Sequence, residues 1–161
     1  MKAVFRHLGV ILMLCSPVAA TAQIRYSDPA NRDRAKEMGL SAQRTIKTKE
    51  PKWKLKDILE SEFGFHQYFK SGNSEAELSI YVYDSPEEAS RQLGVQSRGS
   101  SVTGPEPLKG IGDEAFYMSH RYFSWIGVRK GRMVVVARGP GPELTITTRF
   151  VQYGLEQLAT K

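Results

Sequence analysis

Few residues in this chain have the type and spacing to do chemistry. Beyond the N-terminal leader there are two histidines, His66 and His120, and the single cysteine, Cys15, lies inside that leader. A metal site would therefore need both histidines plus carboxylates, and no HExxH or comparable spacing occurs. No metal or cofactor is expected. An α/β-hydrolase would show a G-x-S-x-G elbow, and the sequence has none. Glu87 and Glu88 are adjacent, but capping of a helix explains them. Glu60 and Glu62 fall on different faces of an expected helix, so no paired carboxylates stand out as general acid and base. If the chain is an enzyme, its site is assembled from dispersed residues. Glu114, His120 and Arg138 are then the first candidates, by their chemistry and by strand-end position.

Two short motifs invite a nucleotide reading and fail it. Gly110-Ile111-Gly112-Asp113-Glu114-Ala115 fits the spacing of a dinucleotide fingerprint. That fingerprint needs a strand before it and a helix after it. Here a Pro-rich loop precedes it and an aromatic strand follows, so a glycine turn leading into a strand is the simpler account. Lys130-Gly131-Arg132-Met133-Val134-Val135-Val136 echoes an RNA-binding strand without the aromatic residues that stack on bases. No nucleic-acid partner is expected.

The leader has the parts of a secretory signal: Lys2 and Arg6, an apolar run from Leu8 to Leu14 too short to cross a bilayer, and small residues at Ala20 and Ala22. Cleavage is expected near Ala22. Lipidation of Cys15 would need a small residue before it, and Leu14 is not small. Removing 22 of 161 residues leaves 139, a common size for one domain. The basic side chains fall from 23 to 21 against 17 acids, a net +4. A modest positive excess of this kind suits anionic partners such as cell-wall polymers or lipid head groups, but a simply soluble basic surface is the first expectation. The expected location is periplasmic or secreted, with no membrane span in the mature chain.

The elements that must hold any site follow from periodicity. Residues 23–52 read as a polar arm and linker, with Asp28-Pro29 able to start a weak helix. Residues 53–161 read as one α+β domain. Leu55, Ile58, Leu59 and Phe63 have helical spacing, and Gly64 would end that helix. Phe65–Lys70 and the alternating stretch around Leu78, Ile80 and Val82 form a hairpin about the Ser71-Gly72-Asn73-Ser74 turn. Ser85-Pro86-Glu87-Glu88 is a capping box that starts a helix with Ala89 and Leu93 inward. A Ser-, Gly- and Pro-rich loop spans 97–112. Three strands follow, near 114–119, 121–128 and 132–138, the last two joined at Gly131. A final helix carries Leu144, Phe150, Val151, Tyr153, Leu155 and Leu158. The expected order is α-β-β-α-β-β-β-α, a mainly antiparallel sheet of about five strands with helices packed on it.

Alternation sorts the sheet into an aliphatic face and an aromatic one. Leu78, Ile80, Val82, Ile126 and Val128 share the first. Tyr81, Tyr83, Phe123 and Trp125 share the second, with Arg129 and Arg138 nearby. Displayed, those six residues would make a binding platform for an envelope protein, polymer or small ligand. Covered by a helix, they would be a second core layer.

Three segments together resemble a recurring arrangement in small secreted bacterial proteins of uncharacterised function. They are Ser85-Pro86-Glu87-Glu88-Ala89, Gly110-Ile111-Gly112-Asp113-Glu114-Ala115-Phe116, and Val128-Arg129-Lys130-Gly131 with the valines that follow. The order is also similar to that of exported sensor-type and PsbP-like domains. The resemblance implies an exported α+β domain that binds or scaffolds, with helices on both sheet faces and no catalytic residues to transfer.

Overall fold

The computed structural model describes residues 28–98 and 104–157. The expected leader with Cys15 and its cleavage site, the centre of the 97–112 loop, and Leu158 lie outside the described residues. Helix α1 spans Pro29–Lys49. Strands β1 (Lys54–Glu60), β2 (Phe65–Ser71) and β3 (Ser74–Val82) follow, then helix α2 (Pro86–Arg98). A two-residue strand β4 (Glu106–Pro107) precedes β5 (Glu114–His120), β6 (Phe123–Lys130) and β7 (Met133–Pro140). Helix α3 (Thr145–Glu156) closes the described chain. The class is α+β and helix and strand blocks alternate in the expected order. The described sheet has seven strands rather than about five, in the order β1-β2-β3-β7-β6-β5-β4, every pair antiparallel.

The two added strands have separate origins. β4 is too short to show a period. β1 occupies the stretch whose apolar spacing reads as helical. A bulge between Leu55 and Asp57 turns both Leu55 and Ile58 to one face, opposite Phe69 and Gln67. An inserted residue thus converts a period of two into a spacing of three, which imitates a helix. Leu55 and Leu59 remain exposed on this edge strand.

The polar stretch before β1 is not a loose arm. Asp28 caps α1, its side chain accepting from the Ala30 amide at 2.9 Å, with Pro29 in the first turn. Ala35, Met38, Gly39, Ala42 and Ile46 make a narrow buried stripe. Gly39 does not break this helix. A Cβ there would stand 2.2 Å from Phe65 Cδ1, so glycine is what lets α1 approach β2. The helix is tied at its far end too: Glu50 accepts from Arg149 and from the Tyr153 hydroxyl of α3, both at 3.0 Å.

α1 and α3 share one face of the sheet, over the aliphatic residues Leu78, Ile80, Val82, Ile126, Val128 and Val135, all buried. α2 lies on the other face. It starts as the capping motif requires, the Glu88 amide donating to Ser85 Oγ at 3.1 Å, while the Glu88 carboxylate lies 3.6 Å from Arg91. Gly131 adopts a φ of 58° in the β6–β7 turn, as the hairpin needs.

Candidate binding face

Register assembles the α2-side face row by row. One row runs Tyr68, Glu77, Arg138, Trp125, Met118 across β2, β3, β7, β6 and β5. The next runs His66, Ser79, Val136, Gly127, Phe116. A third joins Tyr81, Val134, Arg129 and Glu114. Residues directly opposite in antiparallel strands stand side by side, so each row is a line of neighbouring side chains.

α2 divides this face. Ala89 and Leu93 pack with Met118, Trp125, Val134 and Val136 in a second core. Gly127 makes room for it, since a Cβ there would lie 2.5 Å from the Trp125 ring and 2.7 Å from Leu93. Trp125 is therefore a core residue and is not displayed. Tyr81, Tyr83 and Phe123 pack at its margin and are half-buried. The two tyrosine rings stack at 6.4 Å. Burial pushes the Tyr81 hydroxyl up to about 12 and raises that of Tyr83 as well. α2 lies over β5, β6 and β7, and among the described residues no helix packs on the β1–β2–β3 half of this face.

On that open half stands a polar cluster that the sequence reading did not single out. Ser79 Oγ donates to Glu77 Oε1 at 2.7 Å, and His66 Nδ1 lies 2.9 Å from Ser79 Oγ. In that order Ser79 Oγ accepts from His66 Nδ1, and the other ring nitrogen, Nε2, lies 3.1 Å from Ser61 Oγ. Ser61 Oγ also accepts from the amides of Phe63 and Gly64 and lies 3.1 Å from the Gly64 carbonyl. The His66 ring, 3.6 Å away, and the Ser79 hydroxyl hold the Glu77 carboxyl below its usual range, against the opposing effect of burial. Tyr81 sits edge-on to the His66 ring at 5.5 Å.

The two arginines of the expected platform part company. Arg129 is held by Asp113 at 3.1 Å and Glu114 at 3.2 Å, and its Nη1 reaches the Gly131 carbonyl. Asp113 also accepts from the Gly131 amide at 2.7 Å, and Glu114 from Ser90 of α2. The Gly-Asp-Glu segment and the Arg-Lys-Gly turn are thus one welded unit, which explains both motifs without a ligand. Arg138 is exposed and lies over the Phe123 ring at 4.4 Å, with no ion-pair partner among the described residues. His120 stacks on the same ring at 5.3 Å. Of the dispersed enzyme candidates, His120 and Arg138 therefore meet at Phe123, while Glu114 lies at the opposite end of β5.

Among the described residues, no group of three or more His, Cys, Asp or Glu gathers as a metal site would require. No described helix is long and apolar enough to cross a membrane. No protein-family model matches the chain, and no curated protein matches it.

Proposed function

We propose that the chain is an exported, non-enzymatic binding domain of the bacterial envelope that meets its partner on the open part of the α2-side face. One observation carries this reading. The uncovered strands present Tyr68, His66, Glu77 and Tyr81 in register beside Arg138, where a domain needing only a second core layer would carry aliphatic side chains. The resemblance to small secreted bacterial proteins and the signal-like leader support the location. A photoreactive residue at Tyr68 or Arg138, expressed in the native envelope, is expected to cross-link a partner. One at Arg44, on the exposed side of α1, is expected not to. Cross-links from Arg44 alone, or from none of the three, would end this reading.

A second reading, an envelope hydrolase, gains from the Ser61–His66–Ser79–Glu77 relay, because a hydroxyl facing an oriented histidine is how nucleophiles are activated. It ranks second because three backbone groups already hold Ser61 Oγ in a turn. Labelling by a fluorophosphonate that is abolished by Ser61→Ala and by His66→Ala would promote it. An unlabelled wild-type chain would remove it.

A further inference from the structure

One end of the sheet gathers cations that close no short ion pair among the described residues, although Lys70 and Arg138 act through space on Glu75 and Glu77. Lys54, Lys70, Arg121 and Arg138 lie there. Among the described residues none of the four is within salt-bridge distance of a carboxylate, although seven pairs between Lys or Arg and a carboxylate form. Lys54 and Lys70 are direct cross-strand partners, a like-charge juxtaposition that costs stability. Three acids stand at this end, and Glu143, exposed after β7, is one of them; the other two are engaged. Glu75, the register partner of Lys70, is bound by Lys56 at 2.7 Å, and Glu77 holds Ser79 and faces His66. The exposed hairpin between β5 and β6 carries Arg121 over the ring of Tyr122 at 5.2 Å, and Tyr122 is 69% exposed. Beside it, Arg138 covers Phe123. Acids concentrate at the opposite end of the strands, at Asp84, Glu87, Asp113 and Glu114, where Lys130 and Arg132 stand among them.

We propose that this basic end docks on an anionic phospholipid surface, with Tyr122 at headgroup level and Arg121, Arg138, Lys54 and Lys70 against the phosphates. The proposal rests on the binding-domain reading and names its partner. Three features favour a bilayer over a soluble anion. The cations form an end of the molecule rather than a cleft. An exposed amphipathic ring, Tyr122, stands among them at the hairpin, and tyrosine is enriched at membrane interfaces. The charge gradient along the strands orients the acidic end away from the surface. Each basic residue near an anionic leaflet contributes about 1 kcal/mol, so attachment is reversible and salt-dependent.

The test is co-sedimentation of the full mature chain with phosphatidylcholine vesicles and with mixed phosphatidylcholine–phosphatidylglycerol vesicles. Binding is expected only to the mixed vesicles. Arg121→Gln and Arg138→Gln are each expected to lower the partition coefficient about fivefold, the fold-change that one basic residue's contribution converts to. Tyr122→Ser lowers it further, while Lys130→Gln at the far end leaves it unchanged. The four positions are exposed, so the variants keep their fold. Absent binding, equal binding to both vesicles, or an equal loss from Lys130→Gln overturns the proposal. So does soluble polyphosphate that binds as tightly per phosphate as the vesicles. Failure here leaves the binding-domain reading to the cross-links, which test the open face whatever its partner.

Discussion

Arg129 and Arg138 project from the same face of the same sheet, on adjacent strands, and do opposite things. Arg129 is half-buried against two carboxylates and a turn carbonyl, and it fastens one hairpin to the strand beside it. Arg138 is exposed, rests on an aromatic ring and forms no short ion pair among the described residues, reaching its neighbour Glu77 only through space. The sequence presents them alike, each close to a strand of aromatic residues. Partner geometry separates a cation pinned between two carboxylates from one that lies exposed on a ring. The same division runs through the aromatic residues. Trp125 under α2 is core, while Tyr122 at the hairpin tip is 69% exposed.

That contrast can be broken by substitution, and the largest effect falls on the covered side. Trp125→Ala removes a buried ring from the second core and is expected to cost about 3–5 kcal/mol in urea denaturation. Phe123→Ala, at the margin, is expected to cost clearly less; equal losses would mean that α2 does not divide the face. Next in size, Arg129→Gln leaves Asp113 and Glu114 without their shared cation and should cost roughly 1–3 kcal/mol. Arg138→Gln is expected to stay within about 0.5 kcal/mol of the parent.

Titration sharpens the comparison further. Tyr81 and Tyr83 are kept neutral by burial, so the folded chain resists their ionisation while the unfolded chain does not. Stability is full below the ordinary tyrosine value of 10.0 and declines as pH rises toward about 12, where Tyr81 ionises in the fold. Tyrosinate absorbance followed beside circular dichroism checks this, and Tyr81→Phe should shrink the decline. The smallest effect belongs to Glu77. Its carboxyl is held below the ordinary value of 4.5, so its contribution is present above that value and lost as pH falls through the lower folded one. Glu77→Gln should flatten the acid limb of the stability profile.

Much of this face was legible in local turns. A two-residue turn at Gly72-Asn73 sets Ser71 against Ser74, and counting back from it places His66 against Ser79. The β6–β7 turn, expected over Arg129-Lys130-Gly131-Arg132, lies one residue later, at Gly131-Arg132, and this sets Trp125 against Arg138. Alternation correctly put Tyr81 and Tyr83 opposite Leu78, Ile80 and Val82. What no local rule supplies is the pairing of β3 with β7, which brings Glu77 beside Arg138 across sixty residues of chain. Two other features were hidden by irregularity. The bulge in β1 disguised a strand as a helix, and Gly39, usually a helix breaker, is the contact point of α1. The stripe at Ala35, Met38, Ala42 and Ile46 is made largely of small residues, so it carries little hydrophobic signal beside the charges around it.

The central claim is that the position of a cation, and not the charge of the whole chain, decides what it does. Arg129→Gln and Arg138→Gln each remove one positive charge, so net charge changes equally. Binding of the two variants to mixed phosphatidylcholine–phosphatidylglycerol vesicles, measured side by side where both remain folded, tests the claim directly. Arg138→Gln is expected to lose about fivefold and Arg129→Gln to keep the parent's binding. Equal losses in the two variants would contradict it.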